Sequence, residues 1–246
     1  MSNETHWHYT DAGGLIGVLR NKELWASSLG YLNDSAEVAF GLEVLKDALE
    51  RYSSGRSPWP SGIPVARSPL DVYSVSFSTE GDLLSQWRGY AGGRGYALGF
   101  ELAKLVHISR GPGDNTVEPY AVRYGPEAEQ KVLEELTARA LSNGGELSDD
   151  GARFLLRNLP RYKHQSFAEE REWRLAILDA EPSKIEFRVR EGRLLPYLPV
   201  AVPVDALTHV RLGPGAIPAD VAAVHLALTR FGWSDVAVDQ SASPYR

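Results

Sequence analysis

The sequence predicts an α+β fold of mixed, mostly antiparallel sheets with flanking helices and a helical insertion. Three observations carry this. Short β-rich runs separated by Gly/Pro turns fill much of the chain, and KIEFRVREG, LLPYLPVAV and LTHVRLGP follow one another directly. Between residues 126 and 162 the pattern changes to helical spacing for two segments. No internal repeat is visible, so residues 1–246 read as a single domain carrying a helical insertion at 126–162.

Taken in order, THWHYT alternates polar and aromatic residues and fits a short strand. A helix follows, with Asp11 as N-cap and Leu15, Val18 and Leu19 as its apolar stripe. LWASSL is a second strand, and Tyr31–Asp34 a turn. Asn33, Asp34 or Ser35 caps a longer helix to about Tyr52, with Val38, Leu42, Leu45 and Leu49 on one face. Ser53–Pro69, rich in Ser, Gly and Pro, reads as an irregular loop.

Asp71–Ser78 is a strand, and Thr79 with Asp82 matches a capping pattern for the helix after it. Leu83, Leu84 and Trp87, with Tyr90, share a face of that helix, which GGRG ends. GYALGFEL returns as a buried strand, and Val117–Gly125 is another. Val132, Leu133, Leu136 and Leu141 carry the first inserted helix; Phe154, Leu155 and Leu159 carry the second. KHQSFAEE is expected as loop and WRLAIL as strand. After the three consecutive strands comes a helix with Pro218 in its first turn and Gly232 at its end. DVAVDQS closes the fold as a strand.

Composition bounds the chemistry. Apolar residues at 43% and charged residues at 24% are those of an ordinary globular protein. A net charge of −6 argues against a broad nucleic-acid-binding surface, yet permits a local arginine cluster that holds one phosphorylated ligand. With no cysteine, thiolate catalysis and thiolate metal sites are excluded. No signal-peptide pattern or long apolar span is visible, so a cytoplasmic protein away from membranes is expected.

Three stretches hold candidate site residues. His6 and His8 lie two apart on a strand and share a face. They fit a strand-end hydrogen bond, a ligand contact that Tyr9 and Thr10 would complete, or, with a third partner, a metal; no metal motif accompanies them. Ser76 and Ser78 flank Phe77, so their hydroxyls share one face. Gln86 and Arg88 resist a core reading, and Arg88 suits either an acidic partner or an anion, whereas Trp87 falls on core spacing. Glu170, Glu172 and Arg174 would line one face if their strand began at Glu170. A carboxylate there could stabilise a sugar cation as a glycosidic bond breaks.

HYT, LND, SFS, LSQWRxY, GYALGFE, KHxxFxEEREWR and SPYR together resemble a bacterial family, domain of unknown function 2971, which carries no assigned activity. The order of elements is also similar to the ADP-ribosyltransferase fold of diphtheria toxin and the poly(ADP-ribose) polymerases. That resemblance implies cleavage of NAD at its nicotinamide–ribose bond, with ADP-ribose passing to a protein, a nucleic acid or water, and a setting in bacterial conflict or phage defence. It implies that His8 holds a ribose hydroxyl and that backbone near Tyr9–Thr10 holds the nicotinamide amide. Tyr90 or Trp87 would stack on nicotinamide, and Glu172, or Glu170, would stabilise the oxocarbenium-like state. HYT lacks the glycine that usually follows the histidine, and QWRGY stands where the fold offers a simple tyrosine. A non-catalytic module sensing a nucleotide or a protein is the alternative.

Overall fold

A computed structural model describes residues 4–29, 35–53, 58–61, 63, 72–91, 94–108, 116–178, 180–190 and 192–244, except the side chains at 35–38, 107–108, 116 and 190. The turn expected at Tyr31–Asp34, the cap expected among Asn33, Asp34 and Ser35, most of the Ser53–Pro69 loop and the Gly92–Gly93 pair lie outside this description.

The first half of the chain runs β1 (Thr5–Thr10), α1 (Ala12–Asn21), β2 (Glu23–Ser28), α2 (Ser35–Tyr52), β3 (Tyr73–Ser78), α3 (Leu84–Tyr90), β4 (Tyr96–Glu101) and α4 (Leu102–Ile108). Then come β5 (Thr116–Ala121), β6 (Arg123–Tyr124), α5 (Gly125–Leu141), α6 (Asp149–Asn158) and β7 (Tyr162–Lys163). The chain continues through β8 (Glu172–Leu178), β9 (Glu186–Arg190), β10 (Arg193–Ala201), β11 (Leu207–Leu212), α7 (Pro218–Phe231) and β12 (Ala237–Gln240). The fold is α+β with a mostly antiparallel open sheet; β11–β12 is the parallel pair within it. No helix among the described residues is long and apolar enough to cross a membrane.

Local signals account for several element ends. The Asp11 carboxylate accepts from the N–H of Gly14 at 2.8 Å, a cap that stabilises α1 by about 1 kcal/mol. Ser148 does the same for α6, accepting from Gly151 at 3.1 Å. Gly232 ends α7 at φ 79°, a left-handed conformation that a β-carbon disfavours.

Two cores result. One face of the sheet (Val75, Phe77, Leu98, Phe100, Val210) buries against Leu15 and Leu19 of α1, Leu105 of α4 and Val224 and Leu228 of α7. Trp233 seals it, its indole N–H donating to the Leu19 carbonyl at 2.9 Å. The second core lies among helices: Leu45 and Leu49 of α2 meet Val132 and Leu136 of α5 and Leu155 of α6. The 126–162 helices thus pack with α2. A fully buried leucine in either core contributes roughly 1.5–3 kcal/mol over an exposed one.

Strand β3 is the branch point of the sheet. β8 pairs with it along its whole length, from Tyr73↔Ile177 to Ser78↔Glu172. Its other edge is shared. β2 pairs at one end (Ser27↔Ser74) and β1 at the other (Trp7↔Ser78), so the sheet forks beside Val75–Phe77. One arm runs β1–β4–β11–β12 and the other β2–β10–β9.

Several expectations are corrected. The strand expected to run through Leu102 ends at Glu101, and Leu102 opens the helix Leu102–Ile108, which was not expected from the sequence. The strand expected at Val117–Gly125 breaks at Val122, whose N–H donates to the Glu172 carbonyl; Arg123–Tyr124 then pairs in parallel with Tyr162–Lys163. Leu83 rather than Thr79 precedes α3, and Asp82 binds elsewhere. Leu141 points outward.

Candidate functional site

The fork gathers the first group of candidates. Alternation and register put Ser74, Ser76 and Ser78 on one sheet face with Trp7, Tyr9, Glu172 and Arg174. His6 and His8 belong to the opposite face, opposite Phe100 and Leu98. His8 turns into the gap where β1 leaves β3, and its Nδ1 lies 2.9 Å from the Ser76 carbonyl oxygen. A carbonyl can only accept, so Nδ1 carries the proton and Nε2 is left as an acceptor. Burial lowers the His8 pKa, outweighing the Ser76 bond, and the charge of Arg188 lowers it further, so the ring is neutral near pH 7. The Ser76 side chain is exposed on the floor of the fork, although its neighbours Val75 and Phe77 are buried.

Other candidates serve the frame. The Tyr9 phenol donates to the Glu80 carbonyl and accepts from the Leu83 N–H, each at 2.9 Å, and so fixes the turn before α3. Thr10 lies against Gly14, where its hydroxyl leaves no room for a side chain. Ser78 Oγ donates to the Glu170 carbonyl at 2.7 Å and accepts from Glu80 N–H at 3.1 Å. Trp87 is fully buried, edge-on to Tyr9, with its indole N–H 2.8 Å from Asp82 Oδ1. It offers no face to nicotinamide. Gln86 is buried beside it, whereas Arg88 and Tyr90 are exposed.

The second group surrounds the start of β8. Arg171 takes a left-handed conformation (φ 45°), which breaks the alternation, so the strand begins at Glu172 and not at Glu170. Glu170 ends a 3-10 turn instead. Even so, both carboxylates reach the same cation: Lys163 Nζ is 2.7 Å from Glu170 and 2.7 Å from Glu172. Arg174 grips Glu172 in a fork, Nε to Oε1 at 2.7 Å and an Nη nitrogen to Oε2 at 3.1 Å, and also donates to the Pro160 carbonyl at 2.8 Å. Burial alone would raise the Glu172 pKa; the charges of Arg174 and Lys163 override it and bring it down to about 2. The Glu172 N–H donates to the Tyr124 phenol at 2.9 Å, and burial pushes that phenol up to about 12.

Sequence reasoning missed Lys163, Tyr124 and Arg188. Lys163 stands inside KHQSFAEEREWR, and three glutamates within ten residues of a lysine, two of which it pairs with, are the trace of its pairing. Arg188 carries no such trace, because it reaches the fork across two strands. Among the described residues no group of three or more His, Asp or Glu is placed to hold a metal ion.

No curated protein and no solved structure matches the chain. Residues 86–175, from α3 into β8 and including Lys163, Glu170, Glu172 and Arg174, match the family model described as Protein of unknown function (DUF2971).

Proposed function

We propose that this chain binds NAD at the fork of its sheet and cleaves it as an ADP-ribosyltransferase-like enzyme. The carrying observation is the neutral His8, whose Nδ1 is held by the Ser76 carbonyl at the fork and whose Nε2 is left as an acceptor, two strands from the strand of Glu172. An acceptor nitrogen suits a ribose hydroxyl. In the reaction, the bond from the ribose carbon to nicotinamide breaks and nicotinamide leaves with the electron pair as a neutral base. An acceptor oxygen, from water or a macromolecule, bonds to that carbon and gives up its proton to solvent water. Positioning and electrostatics supply the rate, and an ionised Glu172 carries the charge that opposes the sugar cation. Thermal shift with NAD and measured nicotinamide release test this reading. A melting temperature unmoved by NAD, with no nicotinamide released in any cell extract, would sink it.

The state of Glu172 favours a second reading, a module that senses a nucleotide without cleaving it. Its carboxylate is buried and already held by Arg174 and Lys163. Under this reading NAD still stabilises the protein, no nicotinamide appears, and folded Glu172→Gln binds NAD as the native chain does.

A further inference from the structure

The arm β2–β10–β9 carries an aromatic plate beside the fork, outside the span matched by the family model. Trp25 is 38% exposed, an unusual state for the largest side chain in the middle of a sheet arm. Its ring lies 4.6 Å from that of Tyr197, tilted by 33°. The Arg188 guanidinium stands 5.5 Å from the Trp25 ring centre and donates to Ser27 Oγ at 2.9 Å. By register, Ser27 and Tyr197 share the sheet face of Ser76. The charge of Arg188 also bears on His8.

We infer that Trp25, Tyr197 and Arg188 form the adenosine-phosphate subsite of this protein. The inference rests on the proposed nucleotide reading and orients the ligand within it. An aromatic face with a guanidinium beside it matches adenine followed by phosphate. An arginine fork is suited to phosphate, and an exposed indole stacks with any base. Glu186 lies opposite Tyr197 in the β9–β10 register, and its carboxylate suits the amino group and hydroxyls of adenosine.

Calorimetric titration with NAD, AMP and nicotinamide mononucleotide tests this on the full chain and on Trp25→Ala, Trp25→Phe and Arg188→Gln. The native chain is expected to bind AMP as well as NAD. Trp25→Ala is expected to weaken both about tenfold, with nicotinamide mononucleotide unchanged and Trp25→Phe near native. Arg188→Gln weakens all three ligands. Far-UV circular dichroism and unchanged melting temperatures show that the variants remain folded. Native-like AMP binding by folded Trp25→Ala overturns the subsite and leaves the NAD reading standing. AMP binding lost in Trp25→Ala, in a protein that releases no nicotinamide, retains the subsite and removes the enzyme. No binding of AMP or NAD by the native chain overturns both.

Discussion

Arg174 and Glu172, two residues apart on β8, bind each other through both ends of their charged groups while almost wholly buried. Lys163 on the far side of the carboxylate and the Pro160 carbonyl beneath the guanidinium complete the cluster. Removing one member leaves buried charge without its partner. Arg174→Met is therefore expected to destabilise the fold by about 3–5 kcal/mol, read as a lower urea midpoint. A midpoint within experimental error of native would show that the cluster is dispensable.

Two titration windows follow from the site. The neutral His8 has a folded pKa below its ordinary 6.5, and burial lowers that of His6 in the same way. Unfolding lets both take up a proton, so their contribution is present above pH 6.5 and fades as pH falls below it. Glu172 acts lower: its folded value near 2 lies under the ordinary 4.5, so its contribution is lost as pH falls from 4.5 towards 2. Urea midpoints at intervals from pH 7.5 to 2.5 should show two declines. His8→Asn should flatten the upper one and leave the lower. An unaltered upper slope in His8→Asn would refute the assignment.

Trp87 should behave as a core residue, not as a ligand contact. Its ring is closed in by Tyr9 and Ala97, and its N–H is spent on Asp82. Trp87→Ala is expected to cost about 3–5 kcal/mol through the cavity it leaves. Trp87→Phe should cost less and leave NAD affinity unchanged. A folded Trp87→Phe with weakened NAD affinity would return the indole to the site.

Asp82 ties the turn before α3 to the segment after β12. Its carboxylate accepts from the Ser241 hydroxyl, and from Ala242 N–H and Trp87 Nε1 at 2.8 Å each; its backbone carbonyl accepts from Ser243 Oγ at 3.1 Å. Asp82→Ala should destabilise the protein by about 1.5–3 kcal/mol, the usual range for a bond to a charged group. Hydrogen exchange is the sharper readout, with the Ala242 amide losing its protection first. A still-protected Ala242 in the variant would mean that other contacts hold this segment.

Much of the fold was legible because its signals are local. Asp11, Pro218 and Gly232 mark helix ends through backbone rules that need no tertiary partner. Alternation put Ser76 and Ser78 on one face from sequence alone, and the register agrees. The α4 helix escaped because Leu102 continues the apolar run of β4, and periodicity does not separate the two over so few residues. The site was less legible for a different reason. Glu172 was readable as a candidate, but its state depends on Lys163, brought in by pairing β6 with β7. The plate formed by Trp25, Tyr197 and Arg188 joins the β9–β10 hairpin to β2, far away in sequence, and no spacing rule links the two.

The clasp on Asp82 also sets an order in time. Ser241–Ser243 follow every helix and strand described above, yet they hold the turn that positions Tyr9 and Trp87, which belong to elements made much earlier. β4 likewise waits for β11 to cover its outer edge. As the chain emerges from a ribosome, the helical layer of α2, α5 and α6 has all its members long before the fork has its frame. A nascent chain halted before Ser241 would carry every candidate site residue and lack the clasp that holds the turn beside them.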